Sequence, residues 1–141
     1  SQGSFVCEGL INYLLGRSKE ACFLRRHFIF KIIPMVNPDG VIMGNYRTNL
    51  SGCDLNRKWD SADRRSVFPE VACIKHYIAE INRSKKVKVV LDLHGHSKKL
   101  SSFFYGNPYP QQPEHVRGFP FICSKLSDKV SFEDCTFTIE E

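Results

Sequence analysis

No apolar run in these 141 residues approaches the roughly 20 that a helix needs to cross a bilayer. The opening residues, Ser1-Gln2-Gly3-Ser4, carry neither a basic stretch nor a cleavage pattern, so no signal peptide is expected there. An initiator methionine is also lacking, which suggests a piece of something longer. Six cysteines (Cys7, Cys22, Cys53, Cys73, Cys123 and Cys135) include no C-x-x-C pair. A zinc cluster or a disulfide framework is therefore not expected, and reduced thiols in a cytoplasmic protein are. Cys7, Cys73 and Cys123 fall within apolar helical patterns, where a free thiol behaves as a small hydrophobe. Nor is there a long block of one charge. The formal net charge of +5 is dispersed over Arg25-Arg26, Arg64-Arg65, Lys85-Lys86-Val87-Lys88 and Lys98-Lys99. Such short clusters at element ends read as solvated surface rather than as a nucleic-acid face. A mildly basic balance also suits an acidic partner. Repeats and low-complexity tracts are absent.

What is present suits one domain with a real core: 42% hydrophobic and 25% charged residues. Val6, Leu10, Tyr13 and Leu14 recur on one helical face that ends near Gly16. Ser18 is placed to cap a short helix through about Arg25. Phe28-Ile29-Phe30-Lys31-Ile32-Ile33 reads as a strand stopped by Pro34, and residues 37–65 show no sustained period. Val71, Ile74, Ile78 and Ile81 mark another helix, followed by an apolar run at 87–93 that reads as a strand covered on both faces. Ser102–Tyr105 reads as a strand and about 114–127 as a helix. Pro110 and Pro113 bound the loop between them, and Phe137-Thr138-Ile139 begins a further strand. Helices alternating with buried strands predict an α/β sandwich around a mixed, mostly parallel central sheet, with no interior domain boundary.

Three constellations could carry chemistry. In Asp92-Leu93-His94-Gly95-His96-Ser97 a carboxylate and two imidazoles follow the apolar run, where open α/β sheets place ligands. Neutral imidazole is a good zinc ligand, and a catalytic zinc usually takes three protein ligands and a water. Asn37-Pro38-Asp39-Gly40 is adequately read as a turn. Asn45-Tyr46-Arg47 and Asp54-Leu55-Asn56-Arg57-Lys58-Trp59 place two arginines and an asparagine on one irregular loop. Such groups can clamp a carboxylate or stabilise an oxyanion.

Taken in order, these motifs resemble the zinc metallocarboxypeptidases over essentially the whole chain. The form Asp-Leu-His-Gly-His-Ser-Lys-Lys at 92–99, with Phe-Phe-Tyr-Gly at 103–106, is similar to the cytosolic branch, whose members trim C-terminal glutamates from tubulin and other proteins. The resemblance implies that His94 is the third ligand of one zinc ion. It implies that Arg47 polarises the scissile carbonyl and holds the tetrahedral oxyanion. Asn56 and Arg57 would hold the substrate's terminal carboxylate, and Asp54 would orient the first histidine ligand. His96 and Asp92 are expected to be supporting residues. Lys98 and Lys99 either favour an acidic tail or are plain surface charge.

Departures from the family pattern shape the expectation as much. Its first two ligands, a His-x-x-Glu, precede a helix like that at 4–15, and no H-x-x-E occurs in this chain. Its general base is a glutamate on a late strand. Glu140 lies only 46 residues beyond His94, and is read as an ordinary residue with the true base further on. Residues 1–141 are thus expected to be the central part of one carboxypeptidase domain, truncated at both ends and inactive alone. The implied partners are acidic, tubulin-like protein C-terminal tails, with no nucleic acid and no membrane. Two alternatives stay open: a non-catalytic module gripping such tails through Asn56 and Arg57, and another metal-dependent hydrolase using His94 with His96.

Overall fold

A computed structural model describes residues 2–61, 67–109 and 111–138. Ile139, Glu140, Pro110 and the Arg64-Arg65 cluster lie outside them. The described residues form two compact units, the first ending at Gly95 and the second beginning at His96.

All the regular elements among the described residues are helical, which overturns the expected α/β sandwich. Helix α1 spans Gln2–Leu15, α2 Lys19–His27, α3 Pro38–Met43, α4 Pro69–Ser84 and α5 Pro113–Leu126. Short 3₁₀ turns occupy Leu55–Arg57 and Trp59–Ser61. Neither a strand nor a sheet occurs among the described residues; pairing is limited to three isolated bridges, Thr48 with Asp54, Ser102 with Val130 and Tyr105 with Thr136. The reason is that apolar, β-branched sequence favours an extended backbone but cannot supply the neighbour with which a ladder forms. Among the described residues, 28–33 and 87–93 have no such neighbour, and the second run is largely exposed where two-sided cover was expected. Ile29 is 69% exposed and Val90 62%. At 102–105 only the two end residues pair, so that expected strand is reduced to single bridges. Phe137 and Thr138 are irregular.

The helices follow local chemistry closely. Ser18 Oγ accepts from the Ala21 amide at 3.1 Å and starts α2, with Glu20 in the first turn and Arg25, Arg26 and His27 in the last, matching the helix dipole. Arg25 donates to the carbonyls of Leu14 and Gly16, and so satisfies the open end of α1. Asn37 Oδ1 accepts from Gly40 N at 3.1 Å to start α3, and Gly44 ends it in the left-handed region at φ 74°.

Packing buries only part of the face of α1 that hydropathy picks out. Gly3, Cys7 and Leu14 are buried, while Val6 and Tyr13 face solvent. Gly3 decides this. A Cβ on it would overlap the Leu93 carbonyl oxygen and lie 2.8 Å from the Leu93 carbonyl carbon, so α1 rests directly on backbone. Ala21 of α2 is also buried, and Leu55, Phe68 and Val71 form a core cluster in the chain's first unit, with Cys53 and Trp59 packed on it. All six cysteines are free; of the three assigned to apolar helical patterns, Cys7 is buried but Cys73 is exposed.

The second unit is held by aromatic contacts. Phe104 meets Phe119, and Phe121 meets Phe132, edge to face at 5.6 and 5.4 Å. Lys99 Nζ donates to the Asp134 carbonyl at 2.6 Å and lies 4.3 Å from the Phe103 ring centre. Among the described residues no helix is long and apolar enough to cross a membrane.

Candidate active site

The loop between α3 and α4 is built around a tight turn. The Gly52 amide donates to the Asn49 carbonyl at 3.1 Å, and the Asn49 amide to the Cys53 carbonyl at 3.0 Å. Asn at the first position and Gly at the fourth suit such a turn, and Gly52 takes the left-handed φ of 71°. Closing it pairs Thr48 with Asp54 and brings Arg47 Nη1 within 3.3 Å of Asp54 Oδ2. The Thr48 carbonyl is fixed from the other side by Asn37 Nδ2 at 3.1 Å and Asn45 Nδ2 at 3.2 Å. The segment Asn37–Gly40 therefore starts α3 and also seats the loop.

Asp54 has a second task. Its Oδ1 accepts from the Asn56 amide at 3.0 Å and starts the 3₁₀ turn that carries Asn56 and Arg57. Trp59 Nε1 donates to Asn56 Oδ1 at 3.1 Å. Since indole N–H is only a donor, this fixes the amide with Oδ1 toward Trp59 and leaves Nδ2 as a free-facing donor. Lys75 Nζ holds the Trp59 carbonyl at 2.7 Å. Arg47 stays largely exposed beside the Tyr46 ring, 5.5 Å from its centre. The stretch thus presents two guanidinium groups and one amide donor to solvent, which is chemistry for a planar oxyanion.

Asp92 and His94 form a separate pair. His94 Nε2 meets Asp92 Oδ2 at 2.8 Å, both side chains more than half exposed. A carboxylate on one ring nitrogen orients the imidazole and raises the basicity of the other, the arrangement found behind metal-bound histidines. His94 with Nδ1 outward therefore fits as one zinc ligand. No group of three His, Cys, Asp or Glu side chains able to hold a metal ion occurs among the described residues. None of their hydrogen bonds joins the 92–94 pair to the 45–59 loop.

His96 is used differently. Its Nδ1 accepts from the amides of Lys98 and Lys99 at 3.3 and 3.1 Å, and its ring stands edge-on to Phe103. With Nδ1 so occupied, the neutral ring carries its hydrogen on Nε2 and offers no free lone pair. Lys99 is also engaged internally, on Asp134 and Phe103, whereas Lys98 shows no side-chain partner of that kind. Two residues escaped the sequence reading: Gly3, which seats α1 against the backbone leading into His94, and Asn49, which closes the turn. Asn-x-x-Gly at 49–52 was the available signal for the second; Gly3 gave none.

The order of these parts defines a class. The zinc carboxypeptidase family profile matches residues 2–131, and the chain belongs to that family. Its relatives place it in the cytosolic carboxypeptidase branch. Cytosolic carboxypeptidase 3 of Bos taurus is 42% identical over 150 residues, covering all of this chain and 14% of that protein. Cytosolic carboxypeptidase 2 of Homo sapiens is 40% identical over 144 residues, covering all of this chain and 16% of that protein. Cytosolic carboxypeptidase 6 of Homo sapiens is 36% identical over 138 residues, 95% of this chain and 27% of that protein. The chain spans only a small share of the length of these relatives.

Proposed function

We propose that this chain carries part of the substrate-facing surface of a zinc-dependent carboxypeptidase that removes C-terminal residues, glutamate in particular, from acidic protein tails such as those of tubulin, in the cytoplasm. The observation that carries this reading is the loop at 47–57, where a closed turn sets Arg47 against Asp54 and the following turn presents Asn56 and Arg57. A C-terminal carboxylate needs planar, paired donors, and the Arg57 guanidinium with Asn56 Nδ2 supplies them. Arg47 is the donor for negative charge that develops on the scissile carbonyl oxygen. Asp54 holds Arg47 in place and is the carboxylate assigned to orient a histidine ligand. His94, backed by Asp92, is one ligand of the single zinc ion. When bound, zinc would polarise the carbonyl and lower the pKa of a water. Asn37 and Asn45, by fixing the Thr48 carbonyl, keep the whole loop from drifting.

The test is zinc content and release of C-terminal glutamate by the full gene product, beside Arg47→Ala and His94→Ala. Arg47→Ala is expected to bind zinc normally and to lose about 100-fold or more in kcat, as for loss of one oxyanion donor. His94→Ala is expected to lose zinc. Normal zinc content in His94→Ala would remove it from the ligand set. Tail binding without cleavage by the wild type would replace the enzyme with a binding module.

A further inference from the structure

We infer that Asn49 is the positioning residue of the substrate loop, anchored on α4 through Glu70; this rests on the reading of Arg47, Asn56 and Arg57 given above. Asn49 is 3% exposed and is the one buried polar side chain among the described residues. Its Oδ1 accepts from the amides of Ser51 at 3.0 Å and Cys53 at 3.1 Å. Its own amide and carbonyl close the turn on Cys53 and Gly52. Its Nδ2 points to Glu70 Oε1 at 3.5 Å. Every polar atom of the residue is therefore committed, and residues 50–53 wrap around a single amide group.

The consequence is positional. Arg47 stands two residues before Asn49, and Asp54, Asn56 and Arg57 follow just after the turn. Neither flank has a longer ladder to fix it, because Thr48 and Asp54 pair as an isolated bridge. The Asn49 side chain thus shapes the turn between the two arginines, beside the Asp54 contacts and the bonds to the Thr48 carbonyl that hold its flanks. Glu70 ties that side chain to α4, whose Val71 is fully buried in the core cluster. The other oxygen, Glu70 Oε2, is buried with no hydrogen-bond partner among the described residues, an arrangement that costs free energy. The carboxylate's hydrogen bond among the described residues is the one from Asn49 Nδ2 to Oε1. Hydrogen-bonded polar groups buried in this way specify geometry, and a half-broken set is worse than none.

The experiment uses the full gene product and tetraglutamate with a free C-terminal carboxylate, beside the same peptide as its C-terminal amide. Equilibrium binding is measured together with amide hydrogen exchange at Ser51 and Cys53. The wild type is expected to prefer the free acid. Asn49→Asp keeps the acceptor for both amides but sets a second carboxylate against Glu70, and is expected to lose about tenfold of that preference (roughly 1.4 kcal/mol). Combining it with Glu70→Gln restores one hydrogen bond in the opposite direction, the glutamine amide donating to the aspartate, and most of the preference should return. A merely structural residue would not show that rescue. Asn49→Ala should also lose protection at Ser51 and Cys53.

An undiminished preference in Asn49→Ala, with that protection lost, overturns the inference. So does a loss in Asn49→Asp that Glu70→Gln fails to repair. A wild type that binds acid and amide equally overturns the underlying reading of the site instead, and the two failures are thereby told apart.

Discussion

Arg47 and Asp54 meet at 3.3 Å across the mouth of a turn that the Asn49 side chain fills. One carboxylate serves two neighbours, since Asp54 also receives the Asn56 amide at 3.0 Å. Opposite ends of the loop are coupled through it. The Arg47 side chain remains more than half exposed, so the pair is worth little as a salt bridge and more as an alignment.

Asp54 can be divided into its two roles. Asp54→Asn keeps an oxygen for the Asn56 amide and removes the charge facing Arg47. It is expected to change stability by less than about 1 kcal/mol, because exposed ion pairs contribute little. Asp54→Ala also removes the cap and should cost about 1 kcal/mol more. Urea denaturation midpoints of the two variants, at equal slope, measure the difference.

Gly3 should tolerate no side chain. A methyl group would have to displace α1 from the Leu93 carbonyl, and Gly3→Ala is expected to cost roughly 1–3 kcal/mol as an overpacking change. The substitution Gly9→Ala is the control, since a Cβ there meets nothing within 4 Å. It should be neutral or slightly stabilising, alanine being the better helix former. Thermal unfolding of both variants checks this, and zinc content checks whether shifting α1 disturbs His94.

Asp134 gives the second unit a pH response. Hydrogen bonds with Ser131 and Ser101, and then the charge of Lys99, hold its carboxyl below the ordinary value of 3.8. A lowered carboxylate pKa means that the folded form binds this proton less readily than the unfolded form. Its contribution is complete above pH 3.8 and fades as pH falls through the lowered folded value. The chemical shift of the Asp134 carboxyl carbon should titrate below that of a model peptide, and Ser101→Ala should move it upward. A midpoint at the peptide value would contradict the hydrogen-bonded arrangement.

Helices were legible because their causes are local. Ser18 capping Ala21 and Pro at the start of α4 and α5 are written within a few residues, whereas Asn37–Gly40 reads as a turn and in fact starts the short helix α3. The spacing of Val71, Ile74, Ile78 and Ile81 marked α4, and the order of Arg47, Asp54, Asn56, Arg57 and His94 marked the family. The strands failed at 28–33 and 87–93 because a ladder needs a partner that an apolar run does not name. Hydropathy likewise chose Val6, Leu10, Tyr13 and Leu14 for the buried side of α1; Leu14 is buried, but Val6 and Tyr13 face solvent and the close approach at Gly3 puts Gly3 and Cys7 inside instead.

By itself, then, the sequence determined that helices form at α1, α2, α4 and α5, and which family the chain belongs to. Caps, turn residues and motif order all act over short stretches, so they survive reading in one dimension. Tertiary structure alone decided that Asn49 is buried between Ser51, Cys53 and Glu70, that Asn56 turns its N–H donors away from Trp59, and that Nδ1 of His96 is occupied by two backbone amides. Each of these depends on which group lies across a gap in space, and hydrogen-bond direction is set by that neighbour rather than by the residue itself.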